Sequence, residues 1–254
     1  MGKIKAVFNF LKLMRITQKY EKKGRQIDAA RAAGDDVLQK KLIPEVTTPW
    51  AEETLKAFGV ELRIEGQENV PQQDGIVLIS NHQGYVDIPV DILVMRNRPL
   101  GFISKEEVQK IPWIGKWVNR SHALFIRRDN PKEALKSIAG GAKEIQKGYN
   151  IGIYPEGTRS QGPFIGPFKP GAFKLATKAK APILPVTLHG TYHAFEEKGC
   201  AQPCVVRVVI HPVVETKDLD RHGIVEMEKQ VEATIRETFD RLVAEEAAEM
   251  QAKA

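Results

Sequence analysis

The chain has 254 residues, enough for one sizeable core with a small element beside it. Its 42% hydrophobic and 28% charged residues are those of an ordinary folded protein and exclude wholesale disorder. The net charge of +6 is unevenly spread: residues 1–31 hold nine basic side chains against two acidic, while residues 215–254 hold eleven acidic against six basic.

Ile4, Val7, Phe8, Leu11 and Met14 fall at helical spacing at the N-terminus, with Phe10 and Leu13 widening the stripe. Lys3, Lys5, Lys12, Arg15 and Lys19 supply a cationic face. Two readings stay open: a helix lying in a membrane interface, or one that packs its stripe on the core and leaves its lysines in water. The charge density favours an anionic membrane surface as partner. No apolar run reaches the ~18 residues of a membrane span. Lys5 and Lys12 interrupt any signal-peptide core, and Ala6 breaks the myristoylation pattern. The expectation is a peripheral protein on the cytoplasmic face of the cell membrane. Nucleic acid is not expected, because the charge is confined to one amphipathic helix and no nucleic-acid motif accompanies it.

Residues 24–45 read as helical with a break at Gly34, and a further helix is expected from Thr48, an N-cap before Pro49, to Phe58 and Gly59. Beyond that point short apolar runs recur at residues 61–64, 76–80, 100–104, 123–126, 151–154, 183–188 and 205–210. Helix-like segments separate many of them, at 88–95, 131–147 and 172–179, and 224–250 reads as a closing helix with an acidic outer face. Strands alternating with helices predict an α/β fold, a mostly parallel sheet flanked by helices. The division is then 1–60, a basic amphipathic helical element, and 61–254, the α/β domain. Cys200 and Cys204 form no disulfide framework and, with His211 and His222, lack the spacing of a zinc site; free thiols and no metal are expected.

Ligands of open α/β sheets bind beyond the carboxyl ends of strands, and three polar clusters stand there. In "SNHQGYVDIP", His82 and Asp87 are five residues apart and can meet only if the chain turns, which Gly84 is read as permitting. A carboxylate on one ring nitrogen fixes the imidazole tautomer and lets the other nitrogen act as a general base. No G-x-S-x-G elbow is present, so the base would activate a substrate hydroxyl. The plainer alternative has Asp87 capping the helix that begins at Ile88. In "YPEGTRS", Glu156, Gly157, Thr158 and Arg159 offer backbone donors, a hydroxyl and a guanidinium to a phosphate or a polarised acyl oxygen. The alternative is a tight turn with Glu156 paired to Arg159. In "FIRRD", Arg127 and Arg128 point to opposite faces of a strand end, and Lys105 after "GFIS" adds another cation.

The order N-H-x4-D, "FISK", "FIRR", "PEGTRS" and "ILPV" resembles the glycerolipid acyltransferase family, which includes the 1-acylglycerol-3-phosphate acyltransferases, over residues 62–191. The resemblance implies His82 as base and Asp87 as its partner. It assigns Lys105, Arg128 and Glu156 to Arg159 to the acceptor's glycerol phosphate, and Ile183, Leu184, Pro185 and Val186 to the acyl donor. Membrane docking falls on Lys3, Lys5, Phe8, Leu11, Lys12 and Arg15. Two positions depart from the family's G-x-x-F-I-D-R: His122 replaces the glycine and Arg127 the aspartate. The reaction implied is acyl transfer to the sn-2 hydroxyl of lysophosphatidic acid from acyl-CoA or acyl carrier protein, with no cofactor. Backbone amides near Gly157 or the His82 turn are the candidate oxyanion donors. Another lysolipid or glycerol 3-phosphate as acceptor, and a non-catalytic protein that binds anionic lipid, are the alternatives.

Overall fold

The computed structural model describes residues 2–127 and 131–253. Arg128 lies outside the described residues, so its assignment to the acceptor site has no structural counterpart here. Three helices come first: α1 (Gly2–Lys19), α2 (Glu21–Ala32) and α3 (Asp36–Phe58). The α/β part then runs β1 (Val60–Glu65), β2 (Val77–Ser80), α4 (Asp87–Val94), β3 (Leu100–Lys105), α5 (Glu106–Gln109), α6 (Ile114–Arg120), β4 (Leu124–Ile126), α7 (Pro131–Gln146) and β5 (Asn150–Ile153). It closes with α8 (Lys174–Ala179), β6 (Ile183–His189), β7 (Cys204–Ile210) and α9 (Arg221–Lys253).

The seven strands form one sheet in the order β1-β7-β6-β2-β5-β3-β4. Every neighbouring pair is parallel except β6 and β7. Central β2, β5 and β6 are buried along their whole length, as expected when helices cover both faces. One core, on the α3/α4 side, gathers Val90 and Met95 with Leu78, Leu184 and Val208; the other joins α7, α8 and α9 through Ile145, Leu175 and Ile235.

The helical element differs from the expectation in one respect. Residues 36–58 form a single helix in which Pro44 and Pro49 are interior, capped by the Asp35 carboxylate on the Leu38 amide (2.9 Å) and closed by Gly59 at φ 75°. Thr48 does not cap; its Oγ1 accepts from the Asn97 amide. Tertiary packing overrides the two prolines: Leu42, Ile43 and Val46 bury against Ile27 and Tyr149, and Ala51 and Leu55 enter the sheet core. The last turns of α3 thus belong to the core of the α/β layer.

Helix α2 is fastened to α6 by Arg120, whose side chain is 2% exposed. Its guanidinium donates to both Glu21 oxygens (2.8 and 3.2 Å) and both Asp28 oxygens (3.0 and 2.6 Å), and it covers the Trp117 ring. The hydrogen bond from Arg120 pulls the Glu21 carboxyl down to about 2. That contribution to stability is present above the ordinary glutamate range and is lost as pH falls towards 2.

Gly24 makes room for this ion pair, since a Cβ there would lie 2.3 Å from Arg120 Nη1. Helix propensity alone favours Gly24→Ala by about 1 kcal/mol. The buried guanidinium reverses the sign, and the variant should lose roughly 1–3 kcal/mol in denaturant unfolding, with less loss of stability on acidification than the parent chain. Stabilisation by Ala would contradict this packing.

Candidate active site

Strands β2, β5, β3 and β6 run parallel, so their carboxyl ends share one rim. The chain leaving β2 turns over residues 81–86 and enters α4 at Asp87. Asp87 does not cap; Val86 occupies the N-cap position without a side-chain bond. Instead, fully buried Asp87 reaches back. Its Oδ2 accepts from His82 Nδ1 (2.6 Å), the Gln83 amide (2.7 Å) and the Gly84 amide (2.9 Å). A carboxylate oxygen that collects two backbone N–H bonds is an acceptor to the ring as well, so Nδ1 carries the proton and Nε2 keeps its lone pair. The His82 side chain is 17% exposed. Gly84 serves a purpose other than a positive φ: a Cβ there would stand 2.5 Å from Glu196 Oε2.

The loop after β5 locks onto this turn. Glu156 Oε1 accepts from the His82 amide (2.6 Å) and Oε2 from the Gly166 amide (2.6 Å). The Ser160 and Gln161 amides donate to the His82 and Gln83 carbonyls (2.8 and 3.1 Å). Glu156 is therefore a clamp between two loops, with both oxygens used by main chain, rather than a ligand for an acceptor; burial raises its carboxyl. It does not pair with Arg159. Arg159 Nη1 donates to Glu196 Oε1 (2.9 Å), and the guanidinium lies 3.7 Å from the centre of the Tyr85 ring while the side chain stays 26% exposed. Thr158 is exposed on the same loop, and Gly157 takes φ 70° at its turn.

Other assignments change on inspection. The amides proposed for an oxyanion are committed: His82 to Glu156, Gln83 and Gly84 to Asp87, Tyr85 to Glu196, Gly157 to the Tyr154 carbonyl. Ile183, Leu184, Pro185 and Val186 are buried in central β6 and present no surface to an acyl donor. Lys105 stands exposed at the end of β3, paired in register with Ile126 just before Arg127, which is bridged to Glu106 (3.2 Å). His122 points away from the rim. It stacks on Tyr149 (3.6 Å), contacts Glu144 through Nε2 (2.7 Å) and Arg31 through Nδ1 (3.3 Å), and sits at φ 66°, a conformation that suits the glycine of the related pattern.

Sequence reasoning missed Gln83, Glu196 and Tyr154. Buried Gln83 donates to the Gly162 carbonyl (2.9 Å) and accepts from the Gly190 amide (3.0 Å), tying the ends of β2, β5 and β6 together. Glu196 joins the Tyr85 amide to Arg159 from a loop with no local motif. Tyr154 lies flat against the His82 ring.

On α1, Phe8 is 69% exposed and Leu11 57% exposed, with Val7, Phe10, Lys5 and Arg15 also exposed; Lys3 belongs to the first turn. This half of the stripe does not pack on the core. The C-terminal turns of α1 do pack, outside the stripe, through buried Ile16, the Trp50 indole on Thr17 Oγ1 (3.0 Å) and Lys19 on Glu53, while Lys12 Nζ donates to the Ala57 carbonyl (2.6 Å). Among the described residues no helix is long and apolar enough to cross a membrane.

With this geometry in hand, comparison with known proteins is informative. The Acyltransferase family model matches residues 61–189, from β1 through β6. The chain belongs to the acyltransferase family. It is similar to the chloroplastic 1-acyl-sn-glycerol-3-phosphate acyltransferase of Brassica napus, 32% identical over 72% of this chain and 53% of that one. The corresponding Pseudomonas aeruginosa enzyme is 31% identical over 71% of this chain and 70% of its own. The chain spans about half the length of the plant relatives it matches. The crystal structure of the 1-acyl-sn-glycerophosphate (LPA) acyltransferase PlsC from Thermotoga maritima superposes with a TM-score of 0.77 at 25% identity, covering 96% of this chain and 98% of that one. This chain thus shares its fold with that protein over nearly the whole length, helical element included.

Replacing Glu156 by Gln would turn one acceptor oxygen into a donor facing a backbone N–H. We expect a loss of about 1–3 kcal/mol and faster hydrogen exchange at the His82 and Gly166 amides, read by NMR. Unchanged exchange at both would show that the clamp is dispensable.

Proposed function

We propose that the protein transfers an acyl group from acyl-CoA or acyl carrier protein to the sn-2 hydroxyl of 1-acyl-sn-glycerol 3-phosphate, giving phosphatidate and a free thiol. The observation that carries this reading is the 2.6 Å contact between His82 Nδ1 and a carboxylate oxygen already fixed by two backbone amides. That geometry leaves Nε2 as a base at the rim. Among the described residues, Asp87 is the only side chain hydrogen-bonded to the imidazole ring, which supports a nucleophile carried by the substrate.

The acceptor hydroxyl gives its proton to His82 Nε2 as its oxygen attacks the thioester carbon. The tetrahedral adduct then expels the thiolate, which recovers the proton from the imidazolium. Asp87 stabilises that imidazolium, and a positioned histidine base of this kind is worth about 10²–10⁴ in rate. The thioester is the only co-substrate, with no further cofactor and no metal. Arg159, Lys105 and Arg128 bind the phosphomonoester. Arg159 keeps N–H groups beyond the one given to Glu196, and a guanidinium held by Glu196 and Tyr85 is pre-organised for phosphate. The two-ended character of α1, strapped to α3 at one end and carrying exposed Phe8 and Leu11 beside Lys5 and Arg15 at the other, supports docking on an anionic cytoplasmic leaflet. The names of the relatives agree with this acceptor.

One assay tests the proposal: thiol release from acyl-CoA with lysophosphatidate presented in anionic vesicles. His82→Ala should lower kcat about 10²–10⁴-fold with acceptor binding retained. Arg159→Ala should raise the acceptor KM about tenfold or more. Undiminished turnover of the His82 variant would remove the base. No thiol release from the parent chain, despite vesicle binding, would leave an anionic-lipid-binding protein.

A further inference from the structure

The face of the His82 ring is covered by a side chain to which the mechanism above gives no part. Tyr154, first residue after β5, stacks on the imidazole with ring centroids 3.9 Å apart and planes 9° apart. Phe102 of β3 lies on the same ladder, 5.8 Å from Tyr154 and again 9° from parallel. Asp87 fixes one edge of the imidazole, and a single hydrogen bond leaves rotation about its axis open. A flat aromatic surface against the ring removes that freedom.

We propose that Tyr154 is a positioning residue for His82: its ring face sets the plane of the imidazole and favours the imidazolium that forms when Nε2 takes the substrate proton. The inference rests on the assignment of His82 as base. The energetic direction follows from the negative face of an aromatic ring, which attracts a cation stacked on it more than a neutral group. In the resting state the contact is van der Waals packing, and as the proton moves it gains an electrostatic component. The stack therefore strengthens in the transition state, which is the condition for raising kcat rather than only binding.

At its opposite end, Tyr154 carries a buried hydroxyl with no hydrogen-bond partner among the described residues. Its hydroxyl faces Asp91 of α4, which is fully buried and accepts from Ser80 Oγ at 2.9 Å. Burial, with the neighbouring Asp87 charge, raises the Asp91 carboxyl well above the usual range. Burial and Asp91 likewise raise the Tyr154 phenol, which remains neutral. The charged and titratable groups around His82 are Asp87 and Asp91 from α4, Glu156 and Arg159 from the β5 loop, and Glu196 from the segment after β6. Replacing Tyr154 by another aromatic leaves all of them in place.

The test compares kcat, KM and the pH profile of kcat/KM for the parent chain, Tyr154→Phe and Tyr154→Leu in the thiol-release assay, with thermal unfolding as a control. Tyr154→Phe keeps the ring and should stay within about twofold of the parent. Tyr154→Leu should lower kcat about tenfold or more with acceptor KM nearly unchanged, and move the acid limb down by ~0.5 pH unit or more, because the imidazolium loses its stacked partner. If Leu does not fold, Tyr154→Met, closer in volume and without a ring, carries the same expectation. Parental kcat and acid limb in a folded non-aromatic variant would overturn the proposal. So would a Phe variant as impaired as Leu, which would move the role to the hydroxyl. His82→Ala, run alongside, separates the cases: an active His82 variant removes the base itself, whereas an inactive one with an indifferent Tyr154→Leu removes only the stack.

Discussion

The carboxylate oxygen Oδ2 of Asp87 is the point on which the site is built. It holds three N–H groups at once, one from the imidazole and two from the turn that carries it. The same atom therefore sets the backbone path of residues 82–84 and the tautomer of the ring. Such an oxygen tolerates no neighbour of the wrong kind. Burial raises the nearby Asp91 carboxyl, both Glu156 oxygens accept from main-chain amides, and Glu196 Oε1 accepts from the Tyr85 amide. Four acidic side chains crowd one strand end; each has at least one oxygen held by a donor, while Asp87 Oδ1, Asp91 Oδ1 and Glu196 Oε2 are buried without a partner among the described residues.

Around that point the three loops beyond β2, β5 and β6 act as one body. Gln83 spans all three, Asn81 exchanges hydrogen bonds with the Leu188 amide and carbonyl (2.8 Å each), and residues 160–161 pair with 82–83. Catalytic loops are ordinarily mobile and held only at their ends. Here buried polar side chains bond across the loops, which restricts the motion of His82 relative to Arg159. The helical element is joined to this body in a different currency, by the buried Arg120 pair and by the last turns of α3 in the sheet core, so its exposed end is presented at a fixed angle rather than on a tether.

Much of this was legible in the residues. The seven apolar runs became the seven strands, because a parallel sheet buried on both faces needs continuous Val and Ile rather than alternation, and those runs stand out from polar loops. His82, Asp87 and the loop of Arg159 were visible as polar clusters at strand ends, and the structure brings them to one rim. Three things were not legible. Thr48 before Pro49 suggested a helix start, but long-range packing of Ile43, Val46 and Leu55 carries one helix through both Pro44 and Pro49. Glu156 was assigned to the acceptor by the resemblance, with Arg159 as its alternative local partner; its partners are amides 74 and 10 residues away. Glu196 carries no motif, and only the fold reveals that it needs Gly84 small and Arg159 near.

The central claim is that Asp87 fixes His82 with its proton on Nδ1 and a free lone pair on Nε2. Nitrogen-15 NMR of the imidazole, at neutral pH and without substrate, reads this directly. The account predicts a protonated Nδ1 whose proton is far downfield and slow to exchange, an unprotonated Nε2, and loss of that pattern in Asp87→Asn. A ring protonated on Nε2, or one averaging freely between tautomers, would contradict it.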